Sequence, residues 1–320
     1  MKTRFVLSLS VMAFAGLAVN IPSPAALAAE QVAAAEVALR AGPYQVPTSI
    51  APEAPRAGTP RVTNFVVTYR GFSAAAKRAF QRAVDIWARQ ASIASPVPIT
   101  IDARFERLGT GILGSAGPSL YHRDFPGAPR ADTWYVDALA NKLHGSQLMP
   151  KPDIVARFSS AFPNWHFGSG DAPAGKYDFT SVVLHEIGHG LGFLGAGFVN
   201  SANRGTVKFG GYPVSFDRYT ENGAGKSLLT FADNSTALSA QLRGGSLFFD
   251  SALVRSANGG LRARLYAPST FEPGSSYSHL DEATFRAGNP NSLMTPQLGQ
   301  GETIRSPGKI ALAIFDTLGW

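Results

Sequence analysis

Two histidines and a glutamate carry the first chemical signal. In "LHEIGHGLGFLG" (184–195), His185 and His189 are four residues apart and Glu186 follows the first of them. On a helix this spacing stacks both imidazoles on one face, one turn apart, so that they can approach a single metal ion. Glu186, rotated by about 100° from His185, stands beside the ion, where a carboxylate can take a proton from a water that the metal activates. The surrounding "YDFTSVVLHEIGHGLG" favours such a helix: Asp178 can cap it, and Val183, Ile187 and Leu191 form an apolar stripe. Gly188, Gly190 and Gly192 each weaken a helix by roughly 1 kcal/mol relative to alanine, a cost that a purely structural helix has little reason to carry.

A catalytic zinc takes three protein ligands and keeps a fourth position open, so two histidines are not enough. The HExxHxxGxxH pattern holds through Gly192, whose freedom at positive φ would let the chain turn sharply after the helix, and then stops at Gly195. His122, His144 and His166 lie before the helix, and His279, in "GSSYSHLDEATF", lies after it. His166 is a rival third ligand, and Asp217 or Glu221 would complete a site of two histidines and an acid. Met294, in "NSLMTP", occupies a tight, Pro-bounded stretch suited to a methionine turn beneath a metal.

Taken together, "HEIGHGLGF", an interval, "SHLDE", "SLMTP" and a closing "IALAIFDTLGW" resemble the leishmanolysin-type metzincins and related secreted bacterial peptidases. In that family an insertion separates the helix glycine from the third zinc histidine, and the methionine turn follows. The resemblance implies His185, His189 and His279 as ligands of one Zn2+, Glu186 as general base, Gly192 as the turn glycine and Met294 as the turn methionine. It is tight over 178–195 and 275–320, looser over 61–177 and weak between. The chain has no cysteine, so a disulfide framework and a cysteine-based latency switch do not carry over.

Export is the expectation for the first 28 residues: Lys2 and Arg4, the apolar run "FVLSLSVMAFAGLAV" and the small residues Ala26-Leu27-Ala28 read as a bacterial-type secretory signal. This places the mature chain outside the cytoplasm, secreted or periplasmic, with no membrane span after cleavage and as a monomer. Removing Lys2 and Arg4 from 29 basic residues leaves 27 against 22 acidic ones, a net charge of +5. These charges are scattered, which argues against nucleic acid as a partner and leaves a protein or peptide substrate. A structural Ca2+ is left open.

Residues 29–60, Ala-rich and then Pro-rich, are expected to form a linker or short pro-segment. "NFVVTY", a helix capped by Ser73 with Phe80, Val84, Trp87 and Ala91 on one face, and the alternating "ITIDARFE" give strand, helix and parallel strand. "DIVARF" is expected as a further strand at an edge, where an extended substrate could add. Residues 196–278 read as irregular structure with short strands. A closing helix is expected from Ser306 as cap and Pro307 as first residue to Gly319. The fold expected is α/β (α+β), metzincin-like: an N-terminal subdomain (61–195) with a mixed sheet and the active-site helix, and an irregular C-terminal subdomain (196–320). The function expected is a zinc metalloendopeptidase; the alternatives are a non-catalytic zinc-containing surface-binding protein or a zinc hydrolase of non-peptide substrates.

Overall fold

A computed structural model of the chain describes residues 30–33, 36–43, 47–52 and 63–320. The expected signal, 1–28, lies outside the described residues. Among the described residues the architecture is mixed α/β, with six helices and a central six-stranded mixed sheet. The strands of that sheet are β1 (Val37–Ala41), β2 (Phe65–Arg70), β3 (Ile99–Glu106), β4 (Ile112–Pro118), β5 (Ile154–Ser159) and β6 (Gln297–Leu298), in the spatial order β6-β1-β4-β5-β3-β2. β2, β3 and β5 run parallel, β4 is antiparallel to both β5 and β1, and β1 runs parallel to β6.

Between β2 and β3 the helix α1 (Ala74–Ala88) forms as its pattern demands. Ser73 accepts a hydrogen bond from the Ala76 N–H at 3.2 Å, and Ala76, Phe80, Ala83, Val84 and Trp87 are buried. Ala91 falls beyond its end, in a short 3-10 turn. The buried face meets a second helix, α3 (Phe179–Gly190), in an aromatic cluster of Phe72, Phe80, Phe158, Phe179 and Trp165, packed mostly edge to face. Trp87 Nε1 donates to the Leu184 carbonyl across the same interface at 2.9 Å.

Three expectations are corrected. "DIVARF" forms β5, but β5 is interior, because β4, from the Gly-rich stretch, pairs with it over Ile154–Phe158 on the side away from β3. The Gly and Pro content of "ILGSAGP" hid that strand. The segment expected as a linker or short pro-segment is not an unpacked linker: it contributes Glu30–Ala33 against Leu120–Arg123, β1 in the central sheet, and Thr48–Ile50 against Glu302–Ile304. Its Ala-rich composition disfavours packing on average, yet Val37 and Leu39 alternate into the core, each side chain worth roughly 1.5–3 kcal/mol when buried. The closing helix, α6 (Lys309–Leu318), begins two residues later than expected. Gly308, at φ 79°, is its cap, and the Ser306 hydroxyl accepts from the Gly308 N–H instead. Ile310, Ile314 and Leu318 are buried as expected, and Gly319 ends the helix in the left-handed region at φ 108°.

From 196 to 278 the chain forms short strands, among them an antiparallel trio (220–222, 247–249, 263–265), with α4 (Thr236–Leu242) and α5 (Ala252–Ala257) between them. α2 (Asp137–His144) precedes α3 in sequence. One continuous apolar core runs from Val37 to Leu318 and crosses position 195. Among the described residues no helix is long and apolar enough to cross a membrane.

Candidate metal centre

Helix α3 carries the first half of the centre, and its start is fixed by charge. Asp178 accepts from the Ser181 N–H at 2.7 Å as the N-cap and also receives Arg305 through two bonds, from Nη1 at 2.6 Å and Nη2 at 2.9 Å. The pair is buried and ties the segment leading into α6 to the head of α3.

At the other end Gly192, at φ 115°, turns the chain back so that the Phe193 N–H bonds the Gly188 carbonyl at 3.1 Å. The turn aims the Phe193 carbonyl at His189, whose Nδ1 donates to it at 2.7 Å. The other helix glycines are explained by close approach. A Cβ on Gly188 would stand 2.8 Å from Met294 Sδ, and one on Gly190 would overlap the Ile154 side chain.

His185, His189 and His279 come together. Their Nε2 atoms are 2.9 Å (185 to 189), 3.2 Å (189 to 279) and 3.2 Å (185 to 279) apart. Each Nδ1 faces a backbone carbonyl: Leu293 at 2.5 Å for His185, Phe193 for His189, and Ser275 at 2.7 Å for His279. A carbonyl only accepts, so each Nδ1 carries the proton and each Nε2 presents a lone pair. The Nε2 contacts are therefore not hydrogen bonds. Three lone pairs about 3 Å apart in a dry interior repel one another unless a cation lies among them. A tetrahedral zinc with Zn–N distances of about 2.0–2.1 Å sets its nitrogens roughly 3.3 Å apart, close to the spacing found. The residues fit such an ion, with the tautomers already fixed by the carbonyls behind them.

Burial holds the His185 imidazole down to about pKa 4 and keeps His189 and His279 well below the ordinary value, so all three are neutral at neutral pH, the form that ligates. Burial acts oppositely on Glu186, holding its carboxyl well above the usual range. Glu186 Oε1 accepts a 3.3 Å hydrogen bond from the Leu39 N–H, and Oε2 has no hydrogen-bond partner among the described residues. Gly114 of β4 leaves room for it: a Cβ there would stand 2.9 Å from Oε1.

Met294 is fully buried at the end of a short turn against Gly188 of α3. Residues Ser292–Met294 form a 3-10 turn whose Leu293 carbonyl holds His185 and whose Met294 carbonyl accepts from Leu280 N–H, next to His279. The rival ligands are elsewhere. His166 Nε2 meets the Gly170 carbonyl, His122 pairs with Asp137 at 2.6 Å, His144 reaches the Pro126 carbonyl, and Glu221 pairs with Arg262. Asp217 supports the loop instead: buried and pushed up to about 7 by that burial, it accepts from the Val214 and Ala196 N–H groups and from Tyr277 OH. Gly195 sits against Asp217 and Tyr277, and a side chain there would overlap both.

The sequence reading missed three residues of this centre: Leu39, Gly114 and Arg305. Only the Val37/Leu39 alternation offered a signal. Compared with known proteins, the chain matches no protein-family model, no curated protein and no solved structure. The class the centre defines is a three-histidine site with a carboxylate on the same helix, buried to 1% exposure or less at all four residues.

Proposed function

We propose that this chain is an exported zinc metalloendopeptidase of the metzincin kind, similar to leishmanolysin, acting on protein or peptide substrates as a monomer. The observation that carries the reading is the convergence of three Nε2 lone pairs from His185, His189 and His279, each ring locked by a carbonyl, with Glu186 beside them on α3. A structural zinc site is usually closed by a fourth protein ligand and has no use for a buried base. A zinc ion held there supplies Lewis acidity, which makes water a nucleophile at neutral pH and polarises a carbonyl. Glu186 takes the proton on Oε2 and returns it to the departing amine, a cycle suited to a carboxyl whose proton affinity burial has raised. In the metzincin pattern Met294 is the turn methionine, and it underlies α3 here.

The test measures zinc content and hydrolysis in parallel. His279→Ala should lose most bound zinc and His166→Ala should keep it; the reverse refutes the ligand set. Hydrolysis of an unfolded protein should vanish in Glu186→Ala with zinc retained, and hydrolysis that survives the change refutes the base.

A further inference from the structure

The main-chain N–H that hydrogen-bonds the Glu186 carboxylate, that of Leu39, comes from neither the helix nor the motif. It belongs to β1, and the neighbours of β1 describe a slot. Without β1, β4 would be a bare sheet edge facing β6 across a gap of two strand spacings, roughly 10 Å. One wall of that gap is the strand bearing Gly114, against Glu186; the other directly follows the turn bearing Met294.

β1 is held in this slot chiefly by main-chain bonds. Ala38, Arg40 and Gly42 donate to the carbonyls of Gly274, Pro296 and Leu298 on one side, and Ala41 donates to Gly111 on the other. The register with β4 shifts between Leu39 and Arg40, and the Leu39 N–H points to Glu186. Arg40 Nε donates at 3.2 Å to the Ser275 hydroxyl, on the residue whose carbonyl holds His279. Val37 and Leu39 are 6% and 1% exposed, and with β1 in place the three histidines are sealed. An extended peptide adding to a sheet edge makes this set of contacts: main-chain bonds along its length and a pocket for alternate side chains.

We propose that residues 36–42 are a built-in occupant of the substrate groove, an extended segment with an aliphatic side chain at Leu39 that closes the site until it is displaced. The proposal rests on the peptidase reading for the identity of the groove's other ligand, an extended peptide with an aliphatic residue at the Leu39 position.

The test inserts a recognition sequence for a site-specific protease between Tyr44 and Gln45 of the chain 29–320, with Leu39→Asp to speed departure of the cut segment. Mass spectrometry confirms its loss and circular dichroism the retained fold. Two readouts then decide: the rate at which a chelator strips zinc, and binding of a labelled peptide of sequence EVALRAG. Loss of the segment should speed zinc removal at least about tenfold, since stripping no longer waits for local opening. The EVALRAG peptide should bind the cut chain and slow zinc removal again, and its Leu→Asp form should not. Unchanged zinc removal with no peptide binding overturns the proposal. If the cut chain unfolds, the uncut Leu39→Asp chain decides by the same zinc readout, faster removal supporting and an equal rate refuting. Hydrolysis is scored separately. A cut chain that binds EVALRAG yet hydrolyses nothing refutes the peptidase reading and leaves the groove standing; equal hydrolysis by cut and uncut chains keeps the peptidase and refutes the occupant.

Discussion

Gly188→Ala tests whether the helix and the methionine turn are fitted to each other. The added Cβ would stand 2.8 Å from Met294 Sδ and 3.1 Å from its Cε. Carbon contacts settle near 3.5–4.0 Å, so about half an ångström or more must be found on each contact. Met294 is fully buried and cannot swing into solvent. Overpacking of this kind costs about 1–3 kcal/mol, and the better helix propensity of alanine returns about 1, leaving a net loss of roughly 0–2 kcal/mol. Met294→Ala alone should cost about 2–5 kcal/mol for the hole it leaves. In the double variant the new methyl group enters that hole and no longer meets sulfur, so the two losses should fall short of their sum by about 1–2 kcal/mol. Denaturant unfolding of the zinc-stripped proteins measures the cycle without metal linkage. Because Leu293, next to Met294, holds His185, Gly188→Ala should also weaken zinc by about tenfold in chelator competition, an effect typical of a disturbed partner behind a ligand. Additivity within about 0.5 kcal/mol, or a Gly188→Ala protein more stable than the parent, refutes the fit.

Other perturbations follow from the same contacts. Arg305→Met strands the buried Asp178 carboxylate at the head of α3 and should cost about 3–5 kcal/mol, measurable as a lowered denaturation midpoint; a change below about 1 would show the pair to be dispensable. Burial pushes the Glu302 carboxyl up to about 7. A raised acid stabilises the fold fully below its unfolded value near 4.5 and loses that stabilisation as pH rises through about 7, so this group lowers stability between those limits by up to roughly 3 kcal/mol. Glu302→Gln should flatten that pH dependence in unfolding experiments, and an unaltered slope would refute the assignment. Gly195→Ala forces apart Asp217 and Tyr277 and should destabilise by about 1–3 kcal/mol in thermal unfolding, where a neutral result would contradict the packing.

Legibility in the sequence followed the range over which each signal acts. Asp178, Ser73 and the stripes of α1 and α3 were readable because caps and helical periods are local. The strands β2 and β3 were readable because their alternation is written in consecutive residues. β4 was not, since its glycines and proline interrupt the alternating pattern that marks a strand. β1 was passed over with its Ala-rich surroundings, although Val37 and Leu39 alternate into the core. Gly190 read as a cost to the helix and Gly195 as the place where the motif stops, and the reason for both is steric: Ile154 occupies one position, and Tyr277 with Asp217 the other. That His166 stays with Gly170 while His279 joins the pair is a fact of tertiary placement, for which the resemblance alone gave a guide.

The carbonyls behind the three histidines are drawn from unequal distances along the chain. His189 finds its own four residues away, across the Gly192 turn, whereas the carbonyl that orients His185 is 108 residues on and the third ring is 90 residues from His189. Contacts so distant form late, because the loops they close must be ordered first. A chain in which only His185 and His189 have met thus has a two-histidine half-site with one ring oriented, too few donors to hold a metal ion firmly. The third donor arrives only when the segment 275–294 has docked, so metal binding at these three histidines would be coupled to completion of the fold.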